Sequence, residues 1–464
     1  MTATGPLRVV QWTTGNVARE AVTAVLERPD LELVGAFAFS AEKAGRDVGE
    51  LCGLDRTLGV LATADVDEVV ALAPDCVLYM PLHPDVDHLV RLLRAGINVA
   101  TTAHFMTGRA YGPADTERLH SAGLEGNASL FGSGINPGFA QYLAAIATNI
   151  SRSPRYVRIL ESFDIGMWAG DANQDELGWG RPAGAPGHAA DVEHATIPFG
   201  DACEALAALV GVTLDDVRCD VEFAHATVDL DIPNREVRAG TVAGIQASWI
   251  GSVGGLDAVE TTVRWTISPS ITPSWDIAMA YRMEVLGSPN VTIRAEVLPE
   301  PGSMSLTEMV AMGSVITALP VVNAVPAVVA ARPGIVGYPD LPAVASQLVP
   351  APAPTPAPAT AAGPRFTRES SLQELSGTLV GRLLKRVVVA QARATAKTPE
   401  EAQLFGGAAV YLSVAQLVES SGGKLSWAVA DSVVDLANRE PGKVVARATT
   451  AGRSLLRRAP RAQR

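Results

Sequence analysis

Apolar runs rich in Val, Ile and Leu alternate with segments of helical period from the first residues of the chain: LRVVQW, a helical period over 16–27, LELVGAFAF, a helix ending near residue 73, then DCVLYM. The alternation continues through a helix over 85–95, the run INVATT, a helix over 114–122 and the run ASLFG. Buried runs separated by helices mean parallel strands joined by crossovers, so this pattern predicts a doubly wound sheet of about 135 residues. From Tyr156 the period changes to two, in YVRILESFDI, RCDVEFAHATVDL, REVRAGTVAGIQASWIG, DAVETTVRWTI, YRMEVLG and NVTIRAEVL, with Pro, Gly or Asn between runs. That alternation predicts a mainly antiparallel sheet with one wet face. A helix beginning near Pro198 interrupts it, and residues 170–191, dense in Gly, Ala and Pro, read either as a lid or binding loop or as disordered chain.

The later chain divides in the same manner. Residues 305–319 are helical in period and run into VVNAVPAVVAARPGIVGYPDLP, after which VPAPAPTPAPATAAGP has the composition of a semi-rigid polyproline spacer. Beyond it the pattern is helical again, with about twice as many basic as acidic residues and the end RSLLRRAPRAQR. The predicted organisation is a Rossmann-type α/β dinucleotide-binding domain over 1–138, an α+β substrate domain over 139–304, helices returning to the first domain over 305–348, a linker over 349–364 and a basic helical extension over 365–464.

Composition narrows the classes of function. The 464 residues carry a formal net charge of -12, which gives the main body no reason to bind nucleic acid or an anionic membrane. Four cysteines without C-x-x-C spacing indicate neither a disulfide framework nor a zinc site, so no metal is expected and a reducing cytoplasm fits best. The first residues lack a basic-then-apolar leader, and Pro320, Pro326 and Pro333 break the most apolar late stretch, so no membrane span is expected. Of five lysines, only Lys43 precedes the extension.

The first strand-to-helix turn, QWTTGNVARE, sits where a dinucleotide-binding fold carries G-x-G-x-x-G. Gly15 keeps the middle glycine, which lets the pyrophosphate approach the helix N-terminus, while Thr13 and Ala18 replace the outer two. Thr13, Thr14, Gly15, Asn16 and Val17 are therefore assigned to the cofactor, with Pro81 and Thr101 at the ends of DCVLYM and INVATT. After the second run, Ser40 stands where an acidic residue would grip the ribose diol of NAD, with Lys43 and Arg46 just beyond. A hydroxyl and two cations suit a 2′-phosphate, so NADP(H) is favoured over NAD(H); a solvated loop would look the same.

With these residues in place the chain resembles the dihydrodipicolinate reductase-like oxidoreductases, within them the 2,4-diaminopentanoate dehydrogenase branch. The resemblance rests on RVVQWTTGNVARE, AEKAGRDVGELCGL, DCVLYMP, GSGINPGF, LGWGRP, AGTVAG and VVNAVPAVVAARPGI with DLP, in order over residues 7 to about 345. It implies a substrate domain closing over the nicotinamide, reversible hydride transfer to or from a carbon bearing an amine, imine or carbonyl, and a homo-oligomer. Dihydrodipicolinate reductases proper carry a His-His pair followed by lysine, and no lysine lies in this substrate domain, so lysine synthesis by that mechanism is not expected.

Five residues are candidates for the chemistry: His104 and Glu161 as catalytic groups, and Asn136, Gly138 and Asp164 as substrate contacts. Asn136, Pro137 and Gly138 in GSGINPGF read as an N-cap and first helical turn, or as a helix start facing the cleft and receiving a polar substrate group; both can hold. His104 follows INVATT at the ligand-binding edge of the sheet, as a general acid or a loop residue. Glu161 fits the family's position for an anion facing an amine, and Asp164, three residues on, points to the opposite face of a strand. His225, Trp168, Trp249, Trp265 and Trp275 read as packing or surface residues. The competing class of function is a catalytically silent dinucleotide sensor or scaffold acting through the extension.

Overall fold

The computed structural model describes residues 5–166, 172–232, 235–297 and 306–346 and, further on, 366–368, 370, 372–375, 378–395, 414, 417–418 and 426–438. The chain forms two compact units, Met1–Gln347 and Leu348–Arg464. The larger opens with β1 (Leu7–Trp12), α1 (Asn16–Leu26), β2 (Leu31–Phe37), α2 (Val48–Leu51), β3 (Ala62–Thr63), α3 (Val66–Ala71), β4 (Cys76–Tyr79), α4 (Val86–Arg94), β5 (Asn98–Thr101), α5 (Gly112–Gly126) and β6 (Ser129–Gly132). These strands lie parallel in the order β3-β2-β1-β4-β5-β6, so the chain reverses direction across the sheet between β1 and β4. Open α/β sheets bind ligands at the carboxyl ends of the strands flanking such a reversal. Strands β4 and β6 are buried along their whole length because helices cover both faces, which is why they read as unbroken apolar runs.

The second layer comprises α6 (Ala140–Ala147), β7 (Tyr156–Asp164), α7 (His188–Ala195), α8 (Ile197–Leu209), β8 (Asp216–Ala226), β9 (Leu230–Ile232), β10 (Arg235–Val237), β11 (Val242–Val253), β12 (Leu256–Thr266), β13 (Ile271–Thr272), β14 (Ala280–Leu286) and β15 (Val291–Ala295). Its large sheet runs β13-β8-β11-β12-β7-β14-β15, antiparallel except where β7 pairs in parallel with β12. The expected wet face is wet at its edge, where Asp220 and Glu222 of β8 are exposed, while toward the centre Gln246, Ser248, Ser252 and Glu260 are each 8% exposed. Gln246 donates to Glu222 (2.9 Å) and accepts from Arg264 (2.6 Å), so polar side chains are satisfied laterally along the sheet. Part of the Gly/Ala/Pro-rich stretch is ordered: a short 3-10 turn spans Ala172–Leu177, and the Gly180 amide donates to the Val242 carbonyl (2.9 Å).

The chain then returns to the first sheet through α9 (Leu306–Val329) and β16 (Gly334–Val336), which pairs in parallel with β6. The expected break at Pro320 and Pro326 does not occur, since both prolines lie inside α9. Proline at 326 leaves the Val322 carbonyl without its helical donor, and the Arg28 guanidinium reaches that carbonyl (3.4 Å) and the Asn323 side chain (3.1 Å). Ala311–Val329 is long and apolar enough to cross a membrane, but Ala318, Val321, Val322 and Val325 are fully buried in one core with Val9, Ala21, Val22 and Ala100. The smaller unit contains α10 (Leu372–Leu375), α11 (Leu379–Thr395) and α12 (Trp427–Ala437) around its own core of Phe366, Leu372, Leu375, Leu417, Ala430 and Val434. The linker and the arginine-rich end lie outside the described residues.

Candidate active site

The turn after β1 is built around a strained residue. Thr13 adopts φ 82°, the left-handed region that its glycine counterpart in the fingerprint would enter freely and that costs a β-branched residue about 1–2 kcal/mol. Two bonds hold it there: its amide donates to the Phe37 carbonyl (2.8 Å) and its hydroxyl to the Met80 carbonyl (3.3 Å), tying together the ends of β1, β2 and β4. Gly15 follows as the N-cap of α1, with no side chain capping the helix. A Cβ at Gly15 would meet no protein atom within 4 Å. Unpaired first-turn amides facing open space at the sheet's reversal point fit a dinucleotide pyrophosphate.

The cations beside this turn are not equivalent. Lys43 donates to the Thr14 hydroxyl (3.0 Å), whereas Arg46 is exposed and paired with Glu50 (2.6 Å). Burial pushes the Cys52 thiol up to about 11 while Arg19 and Lys43 pull it down, so both cations lie near that sulfur. Arg19, four residues after Gly15 on α1, is a half-exposed second cation 3.9 Å from Glu20, and its place in TTGNVARE is the signal for it. Ser40 is exposed, at the start of the short turn that carries Lys43. Thr101 does not serve the cofactor through its side chain: it is fully buried, its hydroxyl donating to the Tyr79 carbonyl (2.7 Å) and accepting from the Ala103 amide (2.9 Å). Pro81, likewise, is buried behind the end of β4.

Beyond β6, the segment expected to start a helix at Asn136 is instead a folded loop. Asn136 and Pro137 are extended, joined by a cis peptide, Gly138 takes φ 129°, and the regular helix begins at Ala140. A Cβ at Gly138 would lie 2.3 Å from the Ser133 hydroxyl, so the turn admits only glycine. The Asn136 side chain, not needed as a cap, donates to Glu161 (2.9 Å) and accepts from Gln141 (2.8 Å), whose other amide atom accepts from the Gly138 N–H (2.6 Å). Trp265, expected to be packing, donates its indole N–H to the other Glu161 oxygen (2.9 Å). Two neutral donors and no cation hold this carboxyl. Desolvation dominates over both hydrogen bonds and pushes the Glu161 pKa up to about 7. Tyr281, opposite Glu161 in the sheet register, closes the third side as a buried phenol.

Asp164 sits on the other side of the strand and accepts from the Gly166 amide (3.0 Å), apart from the Glu161 cluster. His104 lies on the loop after β5, beside the loop after β6, with a left-handed backbone (φ 50°). The residue is exposed, yet protein around its ring desolvates it and lowers its pKa; Glu176 from the second domain opposes the shift and His83 adds to it. Asp201 on α8, fully buried, pins this loop by accepting from the Met106 (2.8 Å), Thr107 (2.7 Å) and Gly108 (3.3 Å) amides. No pattern in the sequence flagged it, because its partners lie more than ninety residues away. No group of three or more potential metal ligands occurs among the described residues.

The chain has relatives among known dehydrogenases and reductases. Residues 189–351 match the model of the 2,4-diaminopentanoate dehydrogenase C-terminal domain. An amine dehydrogenase of Streptomyces virginiae is 29% identical over 353 residues, 72% of this chain and 96% of that protein. A 4-hydroxy-tetrahydrodipicolinate reductase of a Nostoc species is 37% identical over 92 residues, 18% of this chain and 33% of its own length. Among solved structures, an amine dehydrogenase from Mycobacterium smegmatis shares the fold with a TM-score of 0.60 at 21% identity, covering 75% of this chain and 99% of that one.

Proposed function

We propose that this 2,4-diaminopentanoate dehydrogenase-like, NAD(P)-dependent oxidoreductase acts on a small primary amine, with NADP(H) as the preferred cofactor and Glu161 as the general acid–base. In the oxidative direction the amine carbon gives up hydride to the nicotinamide, the nitrogen gives up a proton, and water converts the resulting imine to a ketone or aldehyde with release of ammonia. A bound nicotinamide would supply or take that hydride; binding the amine and moving its proton would fall to the chain. Thr13, Gly15 and the first turn of α1 would hold the phosphates, and Ser40, Lys43 and Arg19 the 2′-phosphate.

The observation that carries the reading is the Glu161 carboxyl held between Asn136 and Trp265 with its pKa raised to about 7. A general base works best when its pKa lies near the working pH. Ionised, Glu161 attracts an alkylammonium and accepts its proton; protonated, it donates to an imine nitrogen. The sign follows: amine oxidation should gain rate as pH rises through about 7, and imine reduction should lose it. Glu176 acts electrostatically on His104, whose loop keeps its place through Asp201.

The test is to follow the absorbance of the reduced nicotinamide across small amines with NADP+ and the matching carbonyls with ammonia. Turnover with at least one pair, and its loss in Glu161→Gln, supports the reading. Turnover of alcohols but not amines would overturn it. NADPH should bind more tightly than NADH, with the gap narrowed in Arg19→Ala and Lys43→Ala.

A further inference from the structure

The Glu161 carboxyl is reached by two side chains of different kinds. Trp265 offers an indole N–H, which can only donate, to one oxygen (2.9 Å). Asn136 meets the other (2.9 Å) with an amide that has a donor end and an acceptor end, exchanged by a half-turn of the side chain. A donor facing the carboxyl favours its ionised form, and an acceptor there would favour the acid. Which end faces Glu161 is settled one residue further back.

Behind Asn136 stands Gln141 of α6, fully buried, so bulk water does not reach its amide. Its carbonyl oxygen accepts from the Gly138 N–H (2.6 Å), and a backbone N–H can only donate. That leaves the Gln141 NH2 to face Asn136, where it donates to the side-chain oxygen (2.8 Å). Asn136 must then turn its own NH2 towards Glu161. Polarity thus passes from the backbone to the carboxyl through two neutral amides. The other groups around Glu161 do not take over this task. Arg158, Asp164, Glu260, Arg264, Arg282 and Glu284, the charged residues of β7, β12 and β14 nearest in register, take the opposite face of the sheet. Asp201 of α8 is turned to the loop after β5. On the Glu161 face stand Trp265 and Tyr281, and the phenol of Tyr281 is pushed well above its usual pKa by burial and by Glu161, so it stays neutral.

We infer that Gln141 is a positioning residue for proton exchange at Glu161: it fixes the Asn136 amide with its NH2 towards the carboxyl, and so admits the proton only on lone pairs that neither Asn136 nor Trp265 occupies. The inference rests on the acid–base reading of Glu161 and adds what sets the direction and the midpoint of that exchange. Without Gln141 the Asn136 amide is free to turn as the carboxyl changes state, donating to the anion and accepting from the acid. The acid then gains a partner that the native arrangement denies it, and the midpoint rises.

The test reads the carboxyl itself, with no substrate needed. Infrared difference spectroscopy titrates Glu161 through the C=O stretch of its protonated form, with Glu161→Gln as the blank, in full-length wild type, Gln141→Met, Asn136→Ala and the double variant. Gln141→Met keeps the length of the side chain and removes its amide; the midpoint should lie above wild type by on the order of one pH unit, the size of one hydrogen bond to a charged group. Asn136→Ala should raise it as well, and the double variant should titrate with Asn136→Ala, because Gln141 acts through Asn136. A Gln141→Met midpoint at or below that of wild type would overturn the inference, as would a double variant displaced from Asn136→Ala by a further step of similar size. Should Gln141→Met not fold, Asn136→Ala decides the polarity: a midpoint above wild type supports it, and one below means that an oxygen faces Glu161 and overturns it. The acid–base reading fails separately, if amine turnover survives in Glu161→Gln while the midpoints move as stated.

Discussion

Two loops leave the carboxyl ends of parallel strands a few residues apart in design and far apart in function. The loop after β1 passes straight into α1 and exposes backbone amides with nothing in front of them. The loop after β6 delays its helix to Ala140 and spends its side chains, Asn136 above all, on a carboxyl group of the second sheet. The first is an open set of donors suited to a ligand that is always the same. The second is a closed set of partners whose effect is to hold one acid near neutrality. Binding a constant phosphate group asks for free backbone; moving a proton asks for a side chain whose environment is fixed.

The largest expected effect separates the two loops by their chemistry. Glu161→Gln should lower kcat/KM by about 10²- to 10⁴-fold, the usual contribution of general acid–base catalysis, with the NADPH dissociation constant unchanged. Stopped-flow rates together with a binding titration measure both, and an equal loss in binding would abolish the distinction between the loops. Next in size, Gly15→Val should weaken NADPH by about 10²-fold, since its side chain would occupy the space through which the phosphates approach. Because no protein atom lies within 4 Å of a Cβ at that position, the variant should fold, its melting temperature falling only by what a poorer N-cap costs, about 1 kcal/mol. A protein that fails to fold would show that the space is not free.

Asn136→Ala sharpens the comparison further. The Asn136 hydrogen bond lowers the Glu161 pKa against desolvation, so its removal should move the pH midpoint of amine oxidation upward from about 7. A midpoint that stays or falls would detach Glu161 from the pH profile. The same carboxyl predicts a stability effect of definite sign. Its folded pKa lies above its unfolded value, so ionisation works against folding: stability falls as pH rises from about 4.5 to about 7 and then levels. Relative to wild type, Glu161→Gln should therefore melt higher at pH 8 than at pH 4.5. The smallest change belongs to the first loop. Thr13→Gly relieves a left-handed threonine but loses its hydroxyl bond to Met80, terms of about 1–2 and about 1 kcal/mol, so denaturation midpoints should move little. A loss of several kcal/mol would mean that the hydroxyl, rather than the backbone shape, holds the turn.

What could be read from the chain follows the range of the interactions concerned. The doubly wound sheet was legible because each strand and helix declares itself within a dozen residues, and the glycine turn because its signal is confined to TTGNVA. Local rules misled at Asn136, where an Asn-Pro-Gly helix start lost to two side-chain partners, Gln141 five residues on and Glu161 twenty-five residues on. They misled again at α9, where Arg28, almost three hundred residues away, serves a carbonyl that Pro326 leaves without a donor. Trp265 looked like packing for the same reason: it reaches Glu161 only because β12 and β7 lie side by side, 104 residues apart in sequence. Thr101, in contrast, was placed at the correct edge, but its hydroxyl is consumed by the neighbouring strand.

The return of the chain to its first sheet has a consequence for how the protein comes to exist at all. Strand β16 pairs with β6 across roughly 200 residues, and α9 covers the apolar face formed by Val9, Ala21, Val22 and Ala100. At about 5–20 residues per second, a ribosome that has finished β6 works for roughly 10–40 s before it delivers both pieces. Throughout that interval the nascent nucleotide-binding half exposes an uncovered core and an unpaired strand edge, and the second domain must fold within a chain whose two ends are not yet held together. The completed half thus dates from the end of synthesis of the larger unit, and any nascent-chain binder that protects it would act between the emergence of Gly132 and that of Val336.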